Sequence, residues 1–395
     1  MTILVIAPRM PYPLADGYSR AVYHPLRYLA AKGHRVILCT LTDSPSPEGV
    51  NGLAGFCDVF PFSKETKRTV SGMVKSLFSG ESYYLNRFHE KAFLEKILFL
   101  VAREKPDVIQ LEQLHCAYYG AGIKKQFDIP IILRLHNIES DIVARFGSQS
   151  RNPVARIYAF LEAEKIRKYE KAVSPLFDRL LTISPDDDHQ LRDLQPAARS
   201  TVVPSGVDTA FFSPRKAQDA PDSILLLAAF HWRPNQDSFW WFVNHVLPFI
   251  VSRKPGARIS VVGTNPTKEM LAFRHKNVTV IGAVDDVREH IARNRVSIVP
   301  LRIGGGIRLK LLELFAMGRA VVSTTIGCEG LDVSKDIHLK IEDTAQGFAD
   351  AIINLMDDPI ARTTMGEAAR NLVLQRYSWD AVLPPYEELC LTLIR

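Results

Sequence analysis

The sequence predicts an α/β protein built from two successive doubly wound units. Three observations carry this. Short β-branched runs alternate with amphipathic helical stretches along the chain, the pattern of parallel sheets with helices on their faces. The alternation restarts after a polar segment with two prolines, Phe212–Asp222, which suits an interdomain linker. The length, 395 residues, suits two domains of ordinary size.

In the first series the strands are expected at Ile3–Ala7, Arg35–Thr40, Val108–Leu111, Ile131–Leu135, Arg179–Ile183 and Thr201–Val203. Helices are expected at Ser19–Lys32 and Ala92–Arg103, and a long charged one at Pro153–Val173. In the second series strands are expected at Ser223–Ala228, Arg258–Val262, Val278–Ile281, Val296–Val299, Ala320–Ser323 and His338–Ile341. Helices follow at Gln236–Val251, Val287–Arg293, Ile307–Met317, Ala345–Asp357 and Pro359–Gln375. Ligands of open α/β sheets bind outside the carboxyl ends of the strands, so the expected site is a cleft fed by those loops.

Composition excludes several classes. With 47% hydrophobic and 23% charged residues the chain is globular rather than disordered. The five cysteines are scattered with no CxxC pair, which argues against a zinc or dithiol site and for a reducing, cytoplasmic location. The N-terminal run MTILVIAP lacks a basic lead and reads as a strand, not a signal peptide. The apolar stretch Phe239–Val251 is too short and too polar to span a membrane. The net charge of +6 is uneven: residues 1–200 carry +5 and residues 201–395 carry +1. Lys64, Lys67, Arg68 and Lys75 interleave with Val70, Met73, Val74, Leu77 and Phe78 in an expected amphipathic helix, a pattern suited to an anionic membrane surface or to plain solvation.

The segment Pro300–Gly318 is the most informative. A strand runs into Gly304, Gly305 and Gly306, and a helix is expected from Ile307. Glycines admit close backbone approach, and free N–H groups at a helix start attract anions. Arg308 and Lys310 oppose the helix dipole unless an anion lies between them and it. Glu313, five residues after Arg308, has the depth to hold a ribose diol. A tight packing turn with exposed cations is the plain alternative.

The stretch GGGIRLKLLELFAMGRAVVSTTIGCEGL resembles the signature of GT-B fold retaining glycosyltransferases of family 4 (group 1). The opening ILVIAPRMPYPLADGYSRAVYHPLRYLAAKGHRVILCTL, then LRLHNIES, EAEKIRKYEKAVSPLFDRLLTISPDD, VVPSGVDTAFFSP and YSWDAVLPPYEEL resemble further pieces of that family, in its order. The resemblance implies two Rossmann-like domains facing across a cleft. Residues 1–210 would bind acceptor and 211–376 the nucleotide sugar, with a C-terminal helix, 377–395, packed back on the first. It also implies transfer of a hexose from a nucleotide diphosphate sugar, with retention, to a saccharide or lipid-linked acceptor in polysaccharide or glycoconjugate synthesis. UDP-glucose is the favoured donor and GDP-mannose the next. A sugar-nucleotide epimerase or hydrolase of this fold, or a non-catalytic nucleotide-sugar-binding protein, are the alternatives.

By the same resemblance Glu313 holds the ribose hydroxyls and Arg233 is the arginine on the diphosphate, while the charge of Arg308 and Lys310 suits them to supply what the missing lysine would and to stabilise the departing diphosphate. Backbone groups of Gly304, Gly305, Gly306 and Ile307 face the donor. His136, with Asn137 and Glu139 beside it, touches the transferred sugar. Asp16 and Gly17 form an acceptor or phosphate loop. The first glutamate of the family's Glu-x7-Glu pair is replaced by Gly305, and the lysine expected after Arg233 is missing. No cofactor and no metal are expected: Asp186-Asp187-Asp188 reads as helix N-terminal charge. The aromatic group Trp232, Trp240, Trp241 and Phe242 reads as core, and the Cys328–Glu329 loop as a lining of the donor site. Peripheral contact with the inner face of an anionic membrane is expected, and no nucleic-acid partner.

Overall fold

In the computed structural model of the chain, residues 1–14, 16–43, 47–67, 69–148, 152–216, 220–304 and 308–394 are described. The chain divides into two compact units, Met1–Pro204 with Leu383–Arg395, and Ser205–Val382.

The first unit holds a seven-stranded, all-parallel sheet in the order β3-β2-β1-β4-β5-β6-β7. The strands are β1 (Thr2–Ala7), β2 (Arg35–Thr42), β3 (Asp58–Ser63), β4 (Val108–Glu112), β5 (Ile131–Arg134), β6 (Arg179–Thr182) and β7 (Ser200–Val202). Runs such as Ile3–Ala7 and Val108–Glu112 are buried at every position, as expected where helices cover both faces. Each fully buried aliphatic side chain in this core contributes about 1.5–3 kcal/mol. Edge strand β3 is absent from the sequence expectation, and Pro61 within it is tolerated because an edge strand has an unpaired side.

The second unit holds a six-stranded parallel sheet in the order β10-β9-β8-β11-β12-β13. Its strands are β8 (Ala220–Leu227), β9 (Arg258–Val262), β10 (Val278–Gly282), β11 (Asn294–Val299), β12 (Val321–Ser323) and β13 (Lys340–Ile341). The end of the expected linker, Ala220–Asp222, belongs to β8. The helix expected over Gln236–Val251 is three pieces: an α-helix Arg233–Trp241, a π-turn Phe242–Val246 and an α-helix Leu247–Arg253. Pro248 has no N–H for an unbroken ladder, and the π-turn absorbs the break. Pairing order reverses between β1 and β4 in the first sheet and between β8 and β11 in the second. Loops after these strands flank the two switch points, where doubly wound sheets bind ligands.

One local expectation is corrected. The amphipathic helix is short, Val70–Leu77, capped by Thr69. Lys64 precedes it and is tied to Glu90 at 3.0 Å, Lys67 pairs with Glu65, and Arg68 lies outside the described residues. Trp241 and Phe242 are buried, as expected of core residues, and Trp232 is partly buried against the core with its ring also facing Arg308. The triple aspartate opens the helix Pro185–Leu194, whose cap is Ser184 accepting from the Asp187 N–H. All five cysteines are buried thiols.

Candidate active site

The second unit gathers two loops at its switch point. After β8 the backbone runs close to Gly263, where a Cβ would collide with the Ala228 carbonyl, and φ at Gly263 is +148°. The helix Arg233–Trp241 then starts with Pro234 in its first turn, where a missing N–H costs nothing. That start buries Asn235. Its Nδ2 donates to the Ala229 carbonyl at 2.8 Å, which fixes the amide so that Oδ1 faces Lys310.

After β11, Gly304 sits at φ +131° and Arg308 caps the helix Leu309–Ala316. Lys310 Nζ donates to Asn235 Oδ1 at 3.1 Å. The buried Arg308 guanidinium lies 5.4 Å from the Trp232 ring centroid, and its Nη2 reaches the Ile326 carbonyl at 3.5 Å. The 326–328 turn that carries Cys328 is thereby beside Arg308. Burial, and then Arg308, pull the Lys310 ammonium down from 10.5 to about 7, against the opposing pull of Glu313. Glu313 is buried on the same helix. Arg233 is exposed at the opening of its helix, and Arg302 forms an ion pair with Asp237 at 2.6 Å. Gly305, Gly306 and Ile307 lie outside the described residues.

Two cations, one of them held near its titration point, thus stand at the positive end of a helix. Both are unfavourable there by some tenths of a kcal/mol without an anion. Arg308, Lys310 and Glu313 are expected together from the sequence, whereas the contacts of Asn235 with Lys310 and of Trp232 with Arg308 are not. Their signal is positional: both follow the other strand of the same switch point.

In the first unit His136 follows β5, and its Nε2 lies 2.7 Å from Glu112 Oε2 at the end of β4. Arg134 is 3.7 Å from Glu112 Oε1, and Gln110 Nε2 donates to that oxygen at 2.5 Å. Tyr386, on the helix Trp379–Leu393, donates in turn to Gln110 Oε1. Burial alone would raise the Glu112 carboxyl, but Arg134, His136 and Gln110 together hold it below its ordinary value. Burial lowers the His136 imidazole against the pull of Glu112. The pair therefore reads as a carboxylate accepting from a neutral imidazole that carries its proton on Nε2, leaving Nδ1 as an acceptor.

Asp16 caps the helix Gly17–Ala31, accepting from the Ser19 N–H at 2.9 Å and from Arg9 at 2.7 Å. Its carboxylate is occupied structurally, and Gly17 is the first helical residue. Glu139 points inward and accepts from Tyr84 at 2.8 Å; burial pushes it up to about 7. Among the described residues no group of three or more metal-ligating side chains occurs, and no helix is long and apolar enough to cross a membrane.

Two parallel doubly wound sheets with helices on their faces are the architecture of GT-B glycosyltransferases. Sucrose-phosphate synthase from Thermosynechococcus elongatus superposes with a TM-score of 0.75 at 18% identity, covering 100% of this chain and 99% of that one. Anabaena HepE in complex with UDP-glucose superposes at 0.68 and 10% identity over 99% of each chain. An uncharacterized 44.6 kDa protein in the cps region of Klebsiella pneumoniae is 23% identical over 89% of this chain and 90% of its own length. Residues 15–211 match the family described as Glycosyltransferase Family 4, and residues 221–358 match Glycosyl transferases group 1. The chain belongs to the group 1 glycosyltransferases.

Proposed function

We propose that the protein moves a hexose from a nucleotide diphosphate sugar, UDP-glucose first, to a saccharide or lipid-linked acceptor with retention and without a metal. The observation that carries this is the Arg308–Lys310 pair, backed by Asn235 and Trp232 at the start of a helix. It matches the negative charge that a leaving diphosphate gains. UDP-glucose bound to the similarly folded HepE supports the donor class. In this reading Glu313 holds the ribose and His136 contacts the hexose. The bond between C1 and the phosphate oxygen breaks, and the acceptor oxygen bonds C1 on the same face. The acceptor proton passes to the leaving phosphate.

Transfer from UDP-glucose, with GDP-mannose as the competing donor, tests the assignment. Arg308→Ala and Glu313→Ala should each lower turnover by about a hundredfold or more. Full turnover in either refutes the site. The Gly305 replacement favours one second reading, nucleotide-sugar binding without transfer, for which donor binds and no acceptor is glycosylated.

The reading includes peripheral contact with an anionic membrane through the first unit. Val70, Val74, Leu77 and Phe78 are exposed, Phe78 at 90%, and residues 66–80 contain no acid. Flotation with anionic vesicles at low salt checks this, and loss of association in Phe78→Ser is the expected result.

A further inference from the structure

The first unit contains a cavity of about 550 Å³ apart from Glu112 and His136. It lies among the helices Tyr83–Asn86, Lys91–Glu104, Ala117–Lys124 and Pro153–Val173. Lys91, Lys165 and Lys168 line it, and Glu81 is the one acid in its wall. Glu81 is engaged by Asn86 Nδ2 at 2.6 Å. Lys165 donates to the Ser76 carbonyl and lies 3.7 Å from Glu162. Among the described residues, Lys91 and Lys168 pair with no acid. The lining therefore presents an excess of positive charge into a concave space of ligand size.

Three rings, His89, Tyr118 and Tyr169, form another part of the wall, beside Leu85 and the polar Ser82 and Asn86. His89 stacks on Tyr118 with centroids 4.4 Å apart and planes 14° apart, and Tyr169 lies 6.2 Å from His89. His89 Nε2 is enclosed and has no hydrogen-bond partner among the described residues. Burial and then Lys64 hold this ring down to about 4, so it is a neutral wall and not a fourth cation. Lysines that lack carboxylate partners suit a phosphate; apolar ring surface with a polar edge suits a sugar ring.

We propose that this cavity binds a phosphorylated saccharide, with Lys91 and Lys168 on the phosphate and the Tyr118–His89–Tyr169 wall against the sugar. Two sources share that chemistry: a free sugar phosphate, or a phosphosugar carried on a lipid. Gly80 on the cavity rim directly follows the exposed Phe78 and Ser79, which favours the lipid-borne source. That the ligand is the acceptor rests on the glycosyl-transfer reading; that the cavity binds it does not.

The test uses the full chain without donor. Glucose 1-phosphate is titrated calorimetrically, with glucose as the control. Flotation compares phosphatidylcholine vesicles with and without a polyprenyl phosphoglucose. Saturable binding in either arm is expected, weakened about tenfold or more in Lys91→Ala/Lys168→Ala and falling with added salt. Both substitutions are at exposed positions, so an unchanged melting temperature should accompany the loss. Binding only to glucose 1-phosphate assigns the free source, and binding only to the loaded vesicles assigns the lipid. No saturable binding in either arm, or equal binding by the double variant, overturns the proposal. UDP-glucose binding, measured separately on the same variant, reports on the second unit, so failure of the donor reading shows there alone.

Discussion

Lys310 gives the sharpest test, because in the proposed site its proton and the donor's diphosphate would be linked. In the free protein its ammonium is held at about 7, first by burial and then by Arg308. A diphosphate placed against it would favour the charged form and return the group toward its ordinary 10.5. Binding must then take up a proton at any pH between those limits. At pH 7 about half a proton enters per ligand, and at pH 8 about nine-tenths. Affinity falls by up to about tenfold, or 1.36 kcal/mol, for each pH unit above 7. Between pH 7 and 9 the ceiling is roughly a hundredfold. The assay is calorimetry of UDP-glucose binding in two buffers of different ionisation enthalpy. Folding moves the other way. A lysine whose folded value lies below its unfolded one destabilises the fold fully below pH 7, and the penalty fades as pH rises toward 10.5. Free Lys310→Met should therefore melt higher than wild type at pH 7, by a few kcal/mol at most because the side chain keeps some solvent contact. The same variant should lose the proton uptake. No uptake by wild type at pH 8, or equal uptake by Lys310→Met, refutes the linkage.

Glu112→Ala should cost about 3–5 kcal/mol in urea unfolding, since it strands the buried Arg134; Glu112→Gln should cost less. The stabilisation by Glu112 should also disappear from wild type as pH falls through its lowered value, with no such step in either variant. Glu139 has the opposite sign. Its raised value, about 7, means that wild type loses stability as pH climbs from about 4.5 to 7, and Glu139→Gln should flatten that slope in a melting series. Gly304→Ala would put a Cβ 2.7 Å from Arg308 Nη2 and 3.0 Å from Trp232 at a φ of +131°. Donor affinity should fall about tenfold or more, with the melting temperature lowered by the equivalent of about 1–3 kcal/mol. Unchanged donor affinity would separate Arg308's position from binding.

The sheets were legible in the sequence where strands are buried on both faces, because a continuous apolar run such as ILVIA suits a strand covered by helices on both sides. The exception, β3, is an edge strand whose Pro61 and polar ends read as a loop. The broken helix at Phe242–Val246 was not legible either: its apolar spacing stays helical, and only the backbone ladder changes at the π-turn. Arg308, Lys310 and Glu313 could be grouped because one short helix carries them. Asn235 could not, since its partner is 75 positions away and the contact depends on two loops meeting at one switch point. Glu112 sits inside an apolar strand, where a carboxylate looks misplaced until Arg134 and His136 arrive from the next strand. Lys64 and Lys67 looked like part of a basic helical face, but local acids claim both.

Chain order has a consequence for biosynthesis. The first unit is discontinuous: it takes residues up to Pro204 and then residues from Leu383 onward, whereas the second is one uninterrupted segment. Tyr386 and Glu387 supply late contacts to the first unit, to Gln110, to His34 at 2.8 Å and to Tyr28 at 2.9 Å. On the ribosome, the second unit can therefore reach its full set of contacts before the first, although it is translated later. Until Leu383 and its successors emerge, the Gln110–Glu112–His136 chain lacks its outer member. A nascent chain arrested just short of that point would carry a finished second unit beside an incompletely closed first one, and the last helix would act as the closing stitch of a domain begun at residue 1.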